Sequence, residues 1–191
     1  MLHWRPSETD RPYAEIMSGL RWGILATGGI AHAFTHDLQT AGLDVVAVGS
    51  RRPESAQAFA AEFGIPRAHG SYEQLAADPD VDIVYVATPH PSHAENALLC
   101  LHQGKHVLVE KPFTLNEREA AAVRDAAAAR GLLAMEAMWT RYLPHMVRIR
   151  ELLADGALGE VRTVFADHTQ RISSDPAHRL NALELGGGAL L

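Results

Sequence analysis

The chain has 191 residues, of which 47% are hydrophobic, enough to bury the core of one domain and part of a second. The formal net charge of −6 argues against nucleic acid as a partner, and the single cysteine excludes an internal disulfide. No apolar run reaches the length of a membrane span and the N-terminus lacks the apolar segment of a signal peptide, so a cytoplasmic location without a membrane partner is expected. Residues 1–20 are polar and contain two prolines, which indicates a loose N-terminal arm.

From residue 21 onward, short apolar runs alternate with segments of helical periodicity. Glycines end several of the predicted helices, and three capping boxes begin others. This alternation predicts an α/β fold, a Rossmann-type doubly wound parallel sheet, over residues 21–140. The predicted strands are 21–26, 43–50, 67–69, 81–87, 106–109 and 132–135. The capping boxes pair Ser71 with Gln74, Ser92 with Glu95, and Asn116 with Glu119.

The pattern changes after Met135. A helix is predicted over 141–154, followed by a long strand over 159–170 in which polar and apolar residues partly alternate. These elements predict the start of a second α/β domain over 141–191. Because one strand and one helix cannot enclose a core, about 150 further residues are expected to complete it.

The first predicted strand leads into Ala26-Thr27-Gly28-Gly29-Ile30-Ala31, a degenerate form of the G-x-G-x-x-G/A dinucleotide fingerprint. Gly28 stands at the second glycine position, where the backbone can approach a pyrophosphate, and the N–H groups of the following helix can bind the anion. Ala26 replaces the first glycine. A tight turn without a ligand is the alternative. The candidate cofactor residues here are Thr27, Gly28, Gly29 and Ile30.

The end of the second predicted strand distinguishes between cofactors. An acidic residue there would accept hydrogen bonds from the ribose hydroxyls and favour NAD, but this chain has Ser50, Arg51 and Arg52. A hydroxyl and two guanidinium groups suit a 2′-phosphate, so NADP is predicted, with NAD as the alternative. A solvated basic pair is the simpler interpretation, although cations are disfavoured at the start of a helix.

Three more strand ends supply candidate residues. Ligands of open parallel sheets bind beyond the carboxyl ends of the strands, and the strand over 106–109 ends in Glu110-Lys111-Pro112. A solvated lysine just past a strand is the alternative. After the fourth strand, side chains that can meet ribose, nicotinamide or substrate are Thr88, Pro89, His90 and His93. After the sixth strand, Trp139 and Arg141 can wall a pocket, or can belong to a domain junction with a surface arginine.

No metal site is expected. His90 and His93 have no evident third ligand nearby. His32 and His36 lie one helical turn apart, away from the apolar face of their helix, which predicts two solvated surface histidines.

These motifs, in this order, resemble the Gfo/Idh/MocA family of NAD(P)-dependent oxidoreductases. The Glu136–Tyr142 stretch looks most like the dimeric dihydrodiol dehydrogenase branch, which includes xylose dehydrogenases. The resemblance extends from Arg21 to Leu191. The matching residues are the Ala26–Ala31 turn, Ala87-Thr88-Pro89 with His93, Glu110-Lys111-Pro112, Leu158–Val161 and Glu184–Leu191.

The resemblance implies a Rossmann domain and a C-terminal α/β domain, whose open sheet shields the nicotinamide and commonly forms the interface of a homo-oligomer. It places Lys111 beside the nicotinamide and the reacting substrate oxygen, where a cation stabilises a developing alkoxide, with Glu110 orienting the cofactor or Lys111. The implied activity is NADP-dependent oxidoreduction of a sugar, polyol or cyclic diol. The resemblance further implies that the family's second catalytic group is expected after Leu191, in an Asp-x-Gly-x-Tyr/His pattern. A non-catalytic dinucleotide sensor and an inactive fragment are the alternatives.

Overall fold

The computed structural model describes residues 19–167, 169, 171, 173–178 and 180–186. All but the last two residues of the predicted N-terminal arm, and residues 187–191 of the closing glycine-rich pattern, lie outside the described residues. Contacts divide the chain into two compact units that meet between Glu136 and Ala137. The domain boundary after residue 140 stays a prediction.

The first unit contains a six-stranded parallel sheet in the order β3-β2-β1-β4-β5-β6. The chain builds β1, β2 and β3 in one direction and then returns to place β4 on the other side of β1, which confirms the predicted doubly wound sheet. The strands are β1 Arg21–Leu25, β2 Asp44–Gly49, β3 Arg67–His69, β4 Ile83–Val86, β5 His106–Val109 and β6 Ala134–Glu136. The helices of this unit are α1 Gly29–Thr40, α2 Pro53–Phe63, α3 Tyr72–Ala76, α4 His93–His102 and α5 Glu117–Ala128.

The sheet is buried on both faces, which explains why its central strands are almost entirely apolar. On one face, strand residues such as Leu25 and Val86 pack with side chains of α3, α4 and α5. On the other face the packing is aromatic, because Phe34 of α1 stacks on Tyr85 with 4.0 Å between ring centroids and meets Trp22 edge-on at 5.7 Å. Successive residues of β1 and β4 therefore point alternately into two hydrophobic cores, one on each face of the sheet.

One of the two histidines of α1 differs from the prediction. His36 is exposed as expected, whereas His32 is only partly exposed, with 38% of its side chain accessible and its Nε2 3.3 Å from Glu62 Oε2. Its ring lies edge-on against Phe59 of α2 at 4.5 Å, and its Nδ1 is 3.0 Å from the carbonyl oxygen of Gly28. Because α1 packs against α2 along this side, the His32 ring is partly covered even though it points away from the sheet.

In two of the three predicted capping boxes, the side chain of the capping residue accepts the expected backbone hydrogen bond. The Ser71 hydroxyl accepts a hydrogen bond from the N–H of Gln74 at 3.2 Å, and Asn116 Oδ1 accepts one from the N–H of Glu119 at 3.0 Å. The prediction for Ser92 is wrong, since its side chain caps nothing. A 3₁₀ turn runs directly into α4 there, so Ser92 (φ −100°, ψ 1°) lacks the extended backbone that a capping residue adopts.

An ionic cluster around the buried carboxylate of Asp78 lies at the amino-terminal edge of the sheet. The carboxylate of Asp78 lies 2.9 Å from Arg67 Nε and 2.8 Å from His69 Nε2, and it accepts a hydrogen bond from the N–H of Asp80. Burial acts to raise the pKa of Asp78, but the contacts with Asp80, His69 and Arg67 outweigh it, so the pKa lies below its usual value. The ammonium of Lys105, also buried, donates to the carbonyl oxygens of Asp78 and Val81.

Replacing Asp78 with asparagine is expected to lower the free energy of unfolding by about 2 kcal/mol at pH 7, because charged hydrogen bonds become neutral ones. A carboxylate whose pKa is lower in the folded than in the unfolded state stabilises fully above the unfolded value, near 3.9, and loses that effect as the pH falls. Urea unfolding at pH 7 and near pH 3 measures both quantities. The difference in free energy of unfolding between wild type and Asp78→Asn should become smaller at the lower pH. A difference that is the same at both pH values would contradict the stabilising role of the ionised Asp78 carboxylate.

The second unit contains helix α6 (Pro144–Ala154) and two 3₁₀ helices, Trp139–Tyr142 and Leu183–Leu185. The predicted helix begins at Pro144 rather than residue 141, since proline suits the first turn of a helix. The predicted strand over 159–170 is wrong for its described residues, which form no strand. An extended segment becomes a strand only when its backbone hydrogen-bonds to a second strand. The described part of this unit contains no strand that could pair with it. Phe165 is accordingly 95% exposed.

Among the described helices, none has the length and apolar character that crossing a lipid bilayer would demand.

Candidate functional site

The strands end in register at one edge of the sheet. Leu25 is paired with Gly49 on one side and with Val86 on the other, and Val86 is paired with Val109. Neighbouring strands lie about 4.8 Å apart, so the residues just beyond these ends form one row. In order along the edge, these residues are Ser50, Ala26, Ala87 and Glu110. The reversal of strand order between β1 and β4, where doubly wound sheets bind ligands, lies at the centre of the row.

The turn between β1 and α1 presents open backbone at this edge. Gly28 is the N-cap of α1 and offers no side chain, so the first N–H groups of the helix have no side-chain capping partner. A Cβ added at Gly28 or Gly29 would meet nothing within 4 Å. Thr27 is half-buried, and Ile30 is 49% exposed in the first turn. The geometry suits an anionic group placed at the helix N-terminus.

Ala26 adopts φ +92°, a conformation that favours glycine. Ala26→Gly is therefore expected to stabilise the protein by about 0.5–1 kcal/mol, as relief of the strain exceeds the entropy that glycine adds to the unfolded chain. Ala33→Gly, at an exposed position inside α1, is the matched control and should destabilise by about 1 kcal/mol. Urea unfolding compares the two variants, and a loss of stability in both would contradict the account.

Ser50, Arg51 and Arg52 occupy the end of the row beyond β2. Ser50 is buried, and its hydroxyl accepts a hydrogen bond from the N–H of Arg52 at 3.3 Å. Both arginines are exposed. Burial raises the pKa of Tyr72, and the charge and hydrogen bond of Arg51 oppose this, which places Arg51 against the tyrosine. Within the described part of the chain the Arg52 guanidinium has no ion-pair partner, so this end of the row can receive an anion.

His93 holds the loop after β4. Its side chain is fully buried, with Nε2 2.8 Å from the carbonyl oxygen of Thr88 and Nδ1 2.7 Å from that of Pro112. Both ring nitrogens therefore face backbone, and His93 ties two neighbouring loops of the edge together instead of facing a ligand. Thr88 is also buried, and its Oγ1 accepts from Asn96 Nδ2 at 3.2 Å, which leaves the hydroxyl proton available to donate.

Pro89 and His90 lie between Thr88 and His93. Pro89 is exposed and precedes a 3₁₀ turn, and the half-buried ring of His90 meets the His93 ring edge-on at 5.6 Å. Within the ranges that the structure describes, no group of three or more His, Cys, Asp or Glu side chains could hold a metal ion. The absence of a metal from the protein stays a prediction.

Glu110 links the β5 end to β4. Its Oε1 accepts a hydrogen bond from the Tyr85 hydroxyl at 2.5 Å, and its Oε2 accepts one from the N–H of Lys111 at 3.1 Å. Burial, followed by the hydrogen bond and charge of Glu110, raises the pKa of Tyr85, so the hydroxyl stays protonated and donates. The Lys111 side chain is exposed, and no hydrogen bond or ion pair of its ammonium is found in the described residues.

The turn that follows is held from β6. The Lys111–Pro112 peptide bond is cis, and the N–H of Phe113 donates to Glu136 Oε1 at 2.9 Å. Sequence interpretation missed Tyr85 as a part of this edge, and it placed Glu136 after the sixth strand without giving it a role. Tyr85 reads as one more member of an apolar strand. Glu136 carried a usable signal, because an acidic residue at the carboxyl end of a predicted strand belongs at this edge.

Trp139 and Arg141 belong to the second compact unit. Trp139 is 60% exposed within its 3₁₀ helix, and the carbonyl oxygen of Arg141 accepts a hydrogen bond from Arg150 Nη1 at 2.7 Å. Their contribution to a cofactor site stays a prediction.

Known proteins resemble this chain both in sequence and in fold. Residues 20–138 match the GFO_IDH_MocA family, described as an oxidoreductase family with an NAD-binding Rossmann fold. The chain is 45% identical over 175 residues to a trans-1,2-dihydrobenzene-1,2-diol dehydrogenase of Danio rerio, covering 90% of this chain and 52% of that protein. It is 42% identical over 194 residues to a D-xylose 1-dehydrogenase (NADP(+)) of Hypocrea jecorina, covering 90% and 49%. The chain thus spans about half the length of the curated relatives it matches.

Solved structures of oxidoreductases also resemble this chain. KijD10, a 3-ketoreductase from Actinomadura kijaniata in complex with NADP and TDP-benzene, superposes with a TM-score of 0.68 at 36% identity, covering 75% of this chain and 44% of that one. An NAD binding oxidoreductase from Klebsiella pneumoniae superposes with a TM-score of 0.71 at 27% identity, covering 74% and 40%. The Rossmann-type fold is confirmed, as is the resemblance to the dihydrodiol and xylose dehydrogenase branch.

Proposed function

The chain belongs to the Gfo/Idh/MocA family of oxidoreductases, and we propose that it binds NADP(H) along the carboxyl edge of its sheet and acts on a sugar, polyol or cyclic diol. One observation carries the proposal. The in-register strand ends bring an arginine pair, an uncapped helix N-terminus and a lysine turn into one row, three strand spacings or about 14 Å long. This order matches the succession of a 2′-phosphate, a pyrophosphate and a nicotinamide along the cofactor.

The residues of this edge fit NADP. The open space at Gly28 and Gly29 and the free N–H groups of α1 suit the pyrophosphate, because a helix N-terminus attracts anions. The exposed guanidinium groups of Arg51 and Arg52 suit the 2′-phosphate, since arginine binds phosphate with two parallel hydrogen bonds. The Ser50 hydroxyl lies at the same strand end and accepts a hydrogen bond from the N–H of Arg52.

Lys111 is the proposed catalytic residue. When bound, the nicotinamide supplies or accepts the hydride. Lys111 follows the β5 end, and its ammonium is exposed and uncommitted within the described residues. A cation at this position stabilises negative charge on the substrate oxygen and can deliver a proton to it. Thr88, whose hydroxyl can still donate, and Glu110 lie at the same edge and orient the groups that bind there.

The substrate class rests on the relatives. Those that the chain matches over 90% of its length are named as dehydrogenases of a cyclic diol and of D-xylose, so an alcohol/carbonyl pair on such a molecule is the proposed substrate. A homo-oligomer, formed through the second domain, is part of the proposal and rests on the family resemblance alone.

Two measurements test the proposed function. The first is binding of NADPH to the purified protein, followed by the fluorescence of the reduced nicotinamide. The second is the formation of NADPH, followed by its absorbance, when NADP⁺ is supplied together with D-xylose, other aldoses or trans-diols, because these substrates donate the hydride. Binding together with turnover is expected. Binding without turnover across the whole panel would favour a dinucleotide sensor, and absence of binding would refute both functions.

A further inference from the structure

The geometry points to Tyr85 as a positioning residue for Lys111, acting through the carboxylate of Glu110. The inference rests on the proposed role of Lys111 and deepens it, since it names what sets the direction of the lysine. Tyr85 lies on β4, whereas Glu110 and Lys111 follow the neighbouring strand β5.

The hydroxyl of Tyr85 is not required for packing. Tyr85 is 1% exposed, and in the sheet it is paired with Ile24 on one side and Leu108 on the other, both apolar. Its ring stacks on Phe34, a contact that phenylalanine would make equally well. A buried hydroxyl costs free energy unless it is hydrogen-bonded, and the partner that this one has is Glu110 Oε1.

Glu110 connects the Tyr85 hydroxyl to Lys111 through the two oxygens of its carboxylate. The backbone N–H of Glu110 donates to the carbonyl oxygen of Val86, so Glu110 is the last residue held by the sheet. The N–H of Lys111 bonds instead to the Glu110 side chain. The hydrogen bond from the Tyr85 hydroxyl to Oε1 restrains rotation of the carboxylate, and Oε2 accepts from the N–H of Lys111. Loss of the hydroxyl would release a half-buried carboxylate and, with it, the backbone from which the lysine side chain extends.

Tyr85 also contacts the helix of the proposed phosphate site. Phe34, on which its ring stacks, lies on α1, and α1 begins at the Gly28 turn. The ring therefore packs against the cofactor-binding helix while the hydroxyl holds the lysine turn. A change that removes only the hydroxyl separates these two effects.

Tyr85→Phe is the variant that does so, and Thr35→Val is its matched control. Thr35 is fully buried on α1, and its hydroxyl has no hydrogen-bond partner among the described residues. Both substitutions remove one buried hydroxyl on the same side of the sheet. Only the first is expected to alter Lys111.

The chain contains two lysines, buried Lys105 and exposed Lys111, so protein labelled with ¹³C at lysine Cε gives two assignable signals. In Tyr85→Phe the Lys111 signal is expected to shift or split while the Lys105 signal stays. Turnover should fall about tenfold with an unchanged Kd for NADPH. Thr35→Val should change none of these. An unchanged Lys111 signal and an unchanged kcat in Tyr85→Phe, with or without a lower unfolding midpoint, would overturn the inference.

A double-mutant cycle tests the route through Glu110. If Tyr85 acts through the carboxylate, Tyr85→Phe should add little to the effect of Glu110→Ala on the Lys111 signal and on kcat. Equal effects in both backgrounds would overturn the inference. The lysine spectrum requires neither cofactor nor turnover. A wild-type protein without turnover would therefore count against the proposed function alone, and the spectrum would still decide the role of Tyr85.

Discussion

Replacing Lys111 with methionine is expected to lower turnover by about 10²–10³-fold while leaving the Kd for NADPH within about twofold of wild type. Methionine keeps an unbranched apolar stem and removes the ammonium. If the lysine acts on the charge that develops at the substrate oxygen, its loss affects the transition state more than binding of the cofactor. Steady-state kinetics and NADPH titration measure the two quantities separately.

The other lysine of the chain provides the control. Lys105 is buried at the opposite, amino-terminal edge, where its ammonium donates to the carbonyl oxygens of Asp78 and Val81. Lys105→Met leaves those carbonyls without their donor, so it should lower the unfolding midpoint and leave the kcat of the folded protein unchanged. A similar loss of kcat and of NADPH affinity in Lys111→Met would contradict the catalytic role.

Replacing Arg51 and Arg52 together with alanine is expected to weaken NADPH binding by about 100-fold and to leave NADH binding nearly unchanged. A charged hydrogen bond to a phosphate contributes about 1.5–3 kcal/mol, and solvent screening lowers this for exposed side chains. The two arginines together are therefore expected to contribute about 2.7 kcal/mol, which corresponds to the 100-fold loss. The preference for NADPH in the wild type should also fall as salt is added, because exposed charges are screened.

Arg130→Ala is the matched control for the arginine pair. Arg130 is exposed just beyond the C-terminus of α5, at the end of that helix opposite the proposed site. Its replacement should change binding of neither cofactor. Equal losses of NADPH and NADH affinity in the double variant would mean that the pair does not contact the 2′-phosphate.

The sheet could be predicted because its information is local. Strands buried on both faces are apolar throughout, and helices between them end at glycine and begin at capping residues such as Asn116. Once the strands are parallel, everything that follows them lies at one edge. This is why the sequence alone places the turn at Gly28, the arginine pair and Lys111 at one edge.

The predictions that were wrong or missing concern residues whose environment depends on contacts with residues far away in the sequence. His32 reads as fully solvated until Phe59 of α2 packs against its ring, and His93 reads as a ligand until both of its nitrogens meet backbone carbonyl oxygens. The segment over 159–170 has the alternation of a strand, but alternation supplies no pairing partner. Tyr85 was missed for the same reason, since its importance lies in a hydrogen bond to Glu110, 25 positions along the chain.

Titration of the purified protein with NADPH and with NADH, each followed by nicotinamide fluorescence, tests the central claim most directly. The claim is that the row from Ser50 to Lys111 binds NADP(H). Saturable binding of NADPH, tighter than that of NADH and weakened in the Arg51→Ala/Arg52→Ala variant, is the result that the account predicts. Binding of neither cofactor to the folded protein, or tighter binding of NADH than of NADPH, would contradict it.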